Sequence, residues 1–316
     1  MIAILGHNLA SFSASLILQE RISRHVCMKS SSPSWHKPLI LTSGAYNTLK
    51  KHGLDLEAYA LKQMEISAYR QFGTLEFDDP SALGYSISSQ DCFTALQNIQ
   101  GPPELVDEKT WNHIQQESTL NIFCDSNHLP DHDSQDHDGV NIMVFRGRVV
   151  RNCHMLLQRF IPEGIMAWIP SDTNTGTTII TSTTTTTISP SRVQELWGKR
   201  LSFTHLEAER QLQIPTYFRQ PKNASSVFLG VCQLSMAPIL ARGFNLVIEQ
   251  LHAISAGHTE QVQSLGNHMF QLTRNYQRLG KCGHLIGPGL HSISQQPSLM
   301  RMIKAWGKQQ RMEKTR

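Results

Sequence analysis

The first residues in this chain that could do chemistry are Gly6, Asn8 and Ser11. They stand at the three spaced positions of the dinucleotide fingerprint G-x-G-x-x-G, which here reads G-H-N-L-A-S. A pyrophosphate rests on a helix N-terminus, because unpaired N–H groups and the helix dipole face it and glycines let the backbone approach. Asn8 tolerates the dihedrals of such a turn better than most residues. Ser11 adds little bulk where the third glycine packs helix on strand. A nucleotide site also wants an acid about 20 residues further on, for the ribose hydroxyls. The chain there reads Cys27-Met28-Lys29-Ser30, with no acid. Two readings stay open from these residues alone: a worn nucleotide site, or an ordinary strand meeting a helix.

Other clusters carry less. The segment DSNHLPDHDSQDHDG, from Asp125 onward, holds His128, His132 and His137 among several acids. On a helix, His128 and His132 would suit a divalent metal. Pro130 and the acid density make it an exposed loop instead, and no metal is expected. Cys153 and His154 are adjacent in sequence, which does not make a spatial pair. Neither a Ser–His–Asp pattern nor a phosphate loop with a Lys stands out.

These candidates need elements to hold them. Ile2–Leu5 reads as a buried strand, followed by a helix to about Leu18 and a second strand over 25–28. A helix is expected over 43–62 with Ser43 as its cap. Strands are expected over 66–75 and 85–88, and a helix over 89–99. Gly101-Pro102-Pro103 makes a loop, and 121–124 a short apolar strand. Residues 139–190, rich in Val, Ile, Thr and aromatics, read as antiparallel sheet. The run TSTTTTTIS is expected to be an edge strand, since Thr suits strands. Beyond it come a helix over 191–213, a buried strand over 226–231, a helix over 243–255, and mostly helix thereafter. A strand–helix–strand opening, an antiparallel middle and a late strand–loop–helix are what a nucleotide domain interrupted by a sheet domain produces.

Composition sets outer bounds. The 316 residues can fill two domains. Apolar residues at 40% and charged residues at 17% make the chain globular. A net charge of +4 is too slight to argue for nucleic acid. Six cysteines without a C-x-x-C pair point to free thiols in a reducing compartment. The N-terminus lacks the positive region of a signal peptide, and no apolar run reaches transmembrane length.

Three longer segments fall in one order. They are GTLEFDDPSALGYSISSQDCFTAL (73–96), RFIPEGIMAWIP (159–170) and VFLGVCQLSMAPILARGFNLVIEQLHAI (227–254). With LTSGAYNTLKKHGL (41–54) ahead of them and NIFCDSNH (121–128) between the first two, they resemble the flavin-dependent aromatic hydroxylases of ubiquinone biosynthesis. The resemblance spans nearly the whole chain. This chain is shorter, the missing part falling between Gln100 and Thr119. The resemblance implies an α/β fold, with a FAD-type Rossmann-like domain on a mainly parallel sheet and an antiparallel substrate domain inserted in it. The FAD-type domain would take 1–61, 89–138 and 223–294, and the substrate domain 62–88 and 139–222. It also implies FAD, oxygen, NAD(P)H as electron donor and a prenylated phenol or other lipid as substrate. Work at the cytoplasmic face of the inner membrane follows, with other ubiquinone-biosynthesis proteins as partners.

Carried over residue by residue, the match is uneven. Gly6 matches, while Asn8 and Ser11 depart. Asp125 matches the Asp of an Asp-Gly motif, but Ser126 replaces its Gly. Gln90 stands where an Arg meets the FAD phosphates. Gly230 matches, but Val231 replaces the Asp that holds the ribityl chain. Pro238 matches, and Ala241-Arg242-Gly243 replaces Gly-Gln-Gly. Phe244, Asn245 and Leu246 match a helix start that faces the flavin. Each lost charge-assisted hydrogen bond is worth about 1.5–3 kcal/mol, so three remove on the order of 10³-fold or more in affinity. The expectation is a worn FAD site.

The tail SLMRMIKAWGKQQRMEK (298–314) places Leu299, Met302, Ile303 and Trp306 on one helical face, flanked by Arg301, Lys304, Lys308 and Arg311. Residues 295–316 are therefore expected to form a basic amphipathic helix that lies on an anionic membrane. The alternative is a terminal helix docked on the core.

Overall fold

The computed structural model describes residues 1–28, 38–68, 74–78, 83–182, 184–185, 187–235 and 243–282. Pro238 and the 295–316 segment lie outside them.

The chain opens with β1 (Ile2–Leu5), α1 (Leu9–Ile17) and β2 (Ile22–Cys27). After β3 (Pro38–Thr42) and α2 (Ser43–Lys51) come β4 (Tyr59–Leu61), β5 (Gln63–Ala68), β6 (Thr74–Asp78) and β7 (Gly84–Ser88). Then follow α3 (Ser89–Gln100), β8 (Glu104–Leu105), α4 (Glu108–Glu117) and β9 (Leu120–Phe123). The middle is β10 (His132–Val149), β11 (Met155–Ile161), β12 (Gly164–Pro170), β13 (Thr175–Ser182), α5 (Pro190–Trp197) and β14 (Phe203–Pro221). Closing the described chain are β15 (Ser226–Phe228), a 3₁₀ turn (Gly230–Cys232), β16 (Leu234–Ser235), α6 (Gly243–Ser255) and α7 (Glu260–Cys282).

Three sheets result. A five-stranded sheet has the order β15-β9-β1-β2-β8 and is parallel throughout. Its continuous apolar strands are those of a sheet covered on both faces. One face packs α1, α3 and α6 through Phe12, Leu16, Leu96, Ile248 and Leu251, and the other packs Trp111 and Ile114 of α4. An eight-stranded sheet has the order β16-β14-β10-β13-β12-β11-β5-β6, antiparallel except where β5 runs parallel to β11. Its inner face is aliphatic, with Ile142, Val144, Ile165, Ile179 and Leu156. The outer face packs Trp168 and Ile180 against α5, whose Trp197 is buried and donates its Nε1–H to Thr178 Oγ1 (3.2 Å). The small sheet β3-β7-β4 joins the two, giving Leu41 and Ile87 to one core and Ile40 and Leu61 to the other. The fold is thus α/β, with a parallel nucleotide-type sheet and a separate antiparallel sheet, as the resemblance implies.

Several local expectations are corrected. The 43–62 helix ends at Lys51, and its cap is Thr42, whose hydroxyl accepts from Ala45 N–H (3.2 Å). The strand expectation over 66–75 holds for the described residues there, 66–68 lying in β5 and 74–75 in β6, which pair antiparallel. Only the first half of the acidic segment is loop, because β10 begins at His132 and pairs with β14 down to Pro221. The threonine run enters β13, which ends at Ser182 and lies between β10 and β12 rather than at an edge. The 191–213 helix stops at Trp197, and 203–213 belongs to β14. The 226–231 strand ends at Phe228, where the 3₁₀ turn takes over.

Candidate functional site

β1 carries the chain to the carboxyl edge of the parallel sheet, the side where ligands of such sheets bind. Gly6 turns it there with φ +149°, and a Cβ at that position would lie 2.9 Å from Cys124 Cβ. Only glycine meets both conditions. Its N–H donates to Val26 O (2.9 Å), tying the turn to β2.

Asn8 caps α1. Its Oδ1 accepts from the N–H groups of Ala10 (3.0 Å) and Ser11 (3.1 Å). Ser11 Oγ reciprocates, donating to Asn8 O (2.9 Å) and accepting from Asn8 N–H (3.0 Å). This is a capping box. Asn8 Nδ2 also donates to the carbonyl of Cys124, just past β9 (2.5 Å). Two of the N–H groups that a pyrophosphate would take are therefore satisfied by the chain's own carboxamide.

Rings fill the adjoining space. Phe12 meets His7, His25 and Phe93 edge-on at 5.3–5.4 Å, and His7 meets Phe93 at 5.6 Å. His25 Nε2–H donates to Gly6 O (3.1 Å). Burial holds the His25 pKa down at about 4, against the pull of that bond and with a push from His7. The ring is neutral at pH 7. Sequence reasoning missed this cluster and the Cys124 carbonyl. A backbone acceptor leaves no sequence signal, and Phe12 and Phe93 read simply as core.

The other candidate residues are placed as follows. Asp125 Oδ1 accepts from the backbone and side-chain N–H of Asn127 (both 3.0 Å), a local turn. Gln90 Nε2 donates to Thr94 Oγ1 one turn along α3 (3.4 Å). Gly230 has φ +59°, and a Cβ there would lie 3.3 Å from Ala10 Cβ, so the 3₁₀ turn sits directly on α1. Val231 is 55% exposed. Gly243 and Phe244 begin α6, and Phe244 packs against the core. Asn245 is buried, with Oδ1 accepting from Thr42 N–H and Nδ2 donating to Ile40 O, both 2.8 Å. Gly6, Asn8, Ser11 and Gly230 thus converge on the start of α1, with Asp125 beside them. Asn245 is spent on tying α6 to β3.

Cys27, Cys124 and Cys232 also end strands or turns here. Burial first, then the Asp125 carboxylate or a neighbouring thiol, raises their pKa values. They stay protonated and are poor nucleophiles. His128 and His132 lie in a loop and on β10, and His132 Nδ1–H donates to Pro130 O (2.9 Å). Among the described residues, no group of three His, Cys, Asp or Glu could hold a metal. Elsewhere, a cleft of about 960 Å³ opens between the small sheet and the large one. Tyr59, Ser86 and Asp91 face Arg146, Arg148 and Asp172 across it, and the Tyr59 hydroxyl bonds His154 Nδ1.

Against FAD, these residues keep the glycine cradle but fail at the polar contacts. Asn8 Oδ1 takes the first-turn N–H groups of α1, the Val231 side chain offers no acceptor for a ribityl hydroxyl, and the Gln90 side chain carries no charge. They do not fit a tightly held FAD.

No family model and no curated protein matches the sequence. Solved structures do match in fold. Xcc4156, a flavin-dependent halogenase from Xanthomonas campestris, is 12% identical with a TM-score of 0.65, covering 88% of this chain and 76% of that one. The flavin-dependent brominase Bmp2 is 10% identical with a TM-score of 0.65, covering 96% and 92%. The 2,6-dihydroxypyridine-3-hydroxylase from Arthrobacter nicotinovorans is 10% identical with a TM-score of 0.56, covering 90% and 92%. The chain shares its fold with flavin-dependent halogenases and hydroxylases.

Proposed function

We propose that this chain is a non-catalytic relative of the FAD-dependent aromatic-ring monooxygenases. It keeps their two-sheet frame and binds a prenylated phenol or other lipid, or a partner hydroxylase, in ubiquinone biosynthesis. FAD is lost or held weakly. The observation that carries this reading is Val231. It follows Gly230, is more than half exposed, and has no side-chain atom that can bond a ribityl hydroxyl. Among the described residues no helix is long and apolar enough to cross a membrane. Peripheral association with the inner membrane, through 298–312, belongs to the same proposal.

An absorbance spectrum of the purified protein, with and without added FAD, tests the reading. Colourless protein whose FAD affinity is micromolar or weaker supports it. Protein isolated yellow, with FAD at stoichiometry, overturns it and favours a second reading: a working monooxygenase with NAD(P)H as donor. The retained glycines at Gly6 and Gly230, each at positive φ and each in close contact, speak for that second reading.

A further inference from the structure

We infer that Asn8 is a built-in occupant of the dinucleotide seat, doing with its own carboxamide what a bound pyrophosphate does in a nucleotide domain. The inference rests on the reading that FAD has lost its hold, and it names what closes the site.

A pyrophosphate at the start of such a helix satisfies first-turn N–H groups and bridges the neighbouring strand ends. Here Asn8 Oδ1 takes the N–H groups of Ala10 and Ser11, while Nδ2 reaches Cys124 O at the end of β9. One side chain thus joins α1 to β9. Ser11 locks the same turn from the other side through Asn8 N–H and O. An ordinary N-cap needs only the Oδ1 contacts. The second bond, to a strand 116 residues away in sequence, makes Asn8 a bridge as well. Asn8 Oδ1 already holds the Ala10 and Ser11 N–H groups, so an incoming diphosphate has to displace the carboxamide to reach them.

Inorganic pyrophosphate is the probe, and the readout is the backbone amide NMR signals of Ala10 and Ser11 in the whole protein. In the wild type these signals should not move at millimolar pyrophosphate. In Asn8→Gly they should move on titration, and the protein should melt a few degrees lower. Asn8→Asp separates the two bonds. It keeps the cap and stays insensitive to pyrophosphate, yet loses stability because no donor faces Cys124 O. Wild-type amides that shift with pyrophosphate overturn the inference, since the seat is then open. So do Asn8→Gly amides that stay still. If Asn8→Gly fails to fold, Asn8→Asp decides: unchanged melting overturns the bridge. A yellow wild-type protein overturns the functional reading, whereas silent Asn8→Gly amides beside a colourless wild type overturn only this inference.

Discussion

At the residue scale, His25 makes stability depend on pH. Its folded pKa of about 4 lies below the ordinary 6.5, chiefly through burial. Between those values the unfolded chain binds a proton that the folded one refuses. The contribution is complete above pH 6.5, falls as pH drops through the window, and is gone below about 4. At about 1.4 kcal/mol per unit the ceiling is near 3 kcal/mol, reduced because the ring keeps some solvent contact. Denaturant melts at pH 7.5 and 4.5 should show the loss, and His25→Gln should shrink it by half or more. An equal acid loss in the variant counts against the assignment. Val231 and Gln90 carry a second residue-scale prediction. Val231→Asp with Gln90→Arg restores an acceptor and a cation, each worth about 1.5–3 kcal/mol when charge-assisted. FAD affinity by fluorescence quenching should then rise at least tenfold. No gain would mean that other contacts limit binding.

At the element scale, α7 is held by a buried amide pair. Gln250 Nε2 donates to Gln233 Oε1 (2.5 Å) and to Val262 O (3.0 Å), joining α6, the 3₁₀ turn and α7. A Cβ at Gly266 would stand 2.2 Å from Gln233 Oε1. Gly to Ala inside a helix ordinarily stabilises by about 1 kcal/mol. Here the sign should reverse, with Gly266→Ala destabilising by about 1–3 kcal/mol, because Gln233 is buried and bonded and cannot swing away. A raised melting temperature would show that α7 docks more loosely. The same contrast governs what the sequence disclosed. Strands buried on both faces, such as Ile2–Leu5 and the 121–124 and 226–228 runs, announce themselves as apolar blocks. So does the helix from Gly243, and the glycine turn at Gly6 follows from spacing. β14 was hidden because THLEAERQLQ is polar and rich in helix formers, and its conformation comes from pairing with β10, not from its own pattern. The threonine run read as an edge because periodicity cannot say which strands flank it. In the site, the glycines and Asn8 were legible as positions. That Asn8 closes the turn depends on a carbonyl of β9 and could only be seen in three dimensions.

At the scale of the whole molecule, charge and apolar surface are divided unevenly. Residues 301–316 hold six of the 29 basic residues and one of the 25 acids, so the rest of the chain is close to neutral. A lipid ligand of the proposed kind would then be met at a surface toward which the tail carries most of the chain's net positive charge. Arg301, Lys304, Lys308 and Arg311 flank the apolar set of Leu299, Met302, Ile303 and Trp306. Each basic residue near an anionic surface contributes about 1 kcal/mol, so the four supply about 4 kcal/mol, weakened by salt. Trp306 is the expected anchor, since its ring suits the interface. Trp306→Ala, and deletion after Ser298, should release the protein from anionic vesicles in co-sedimentation while leaving the thermal melt in place. Raised salt should release the wild type in the same way, and neutral vesicles should retain little of it. A deletion that collapses the melt assigns the segment to the core. A truncated, folded protein that still sediments with anionic vesicles removes the tail from the account and moves the membrane contact to the body of the fold.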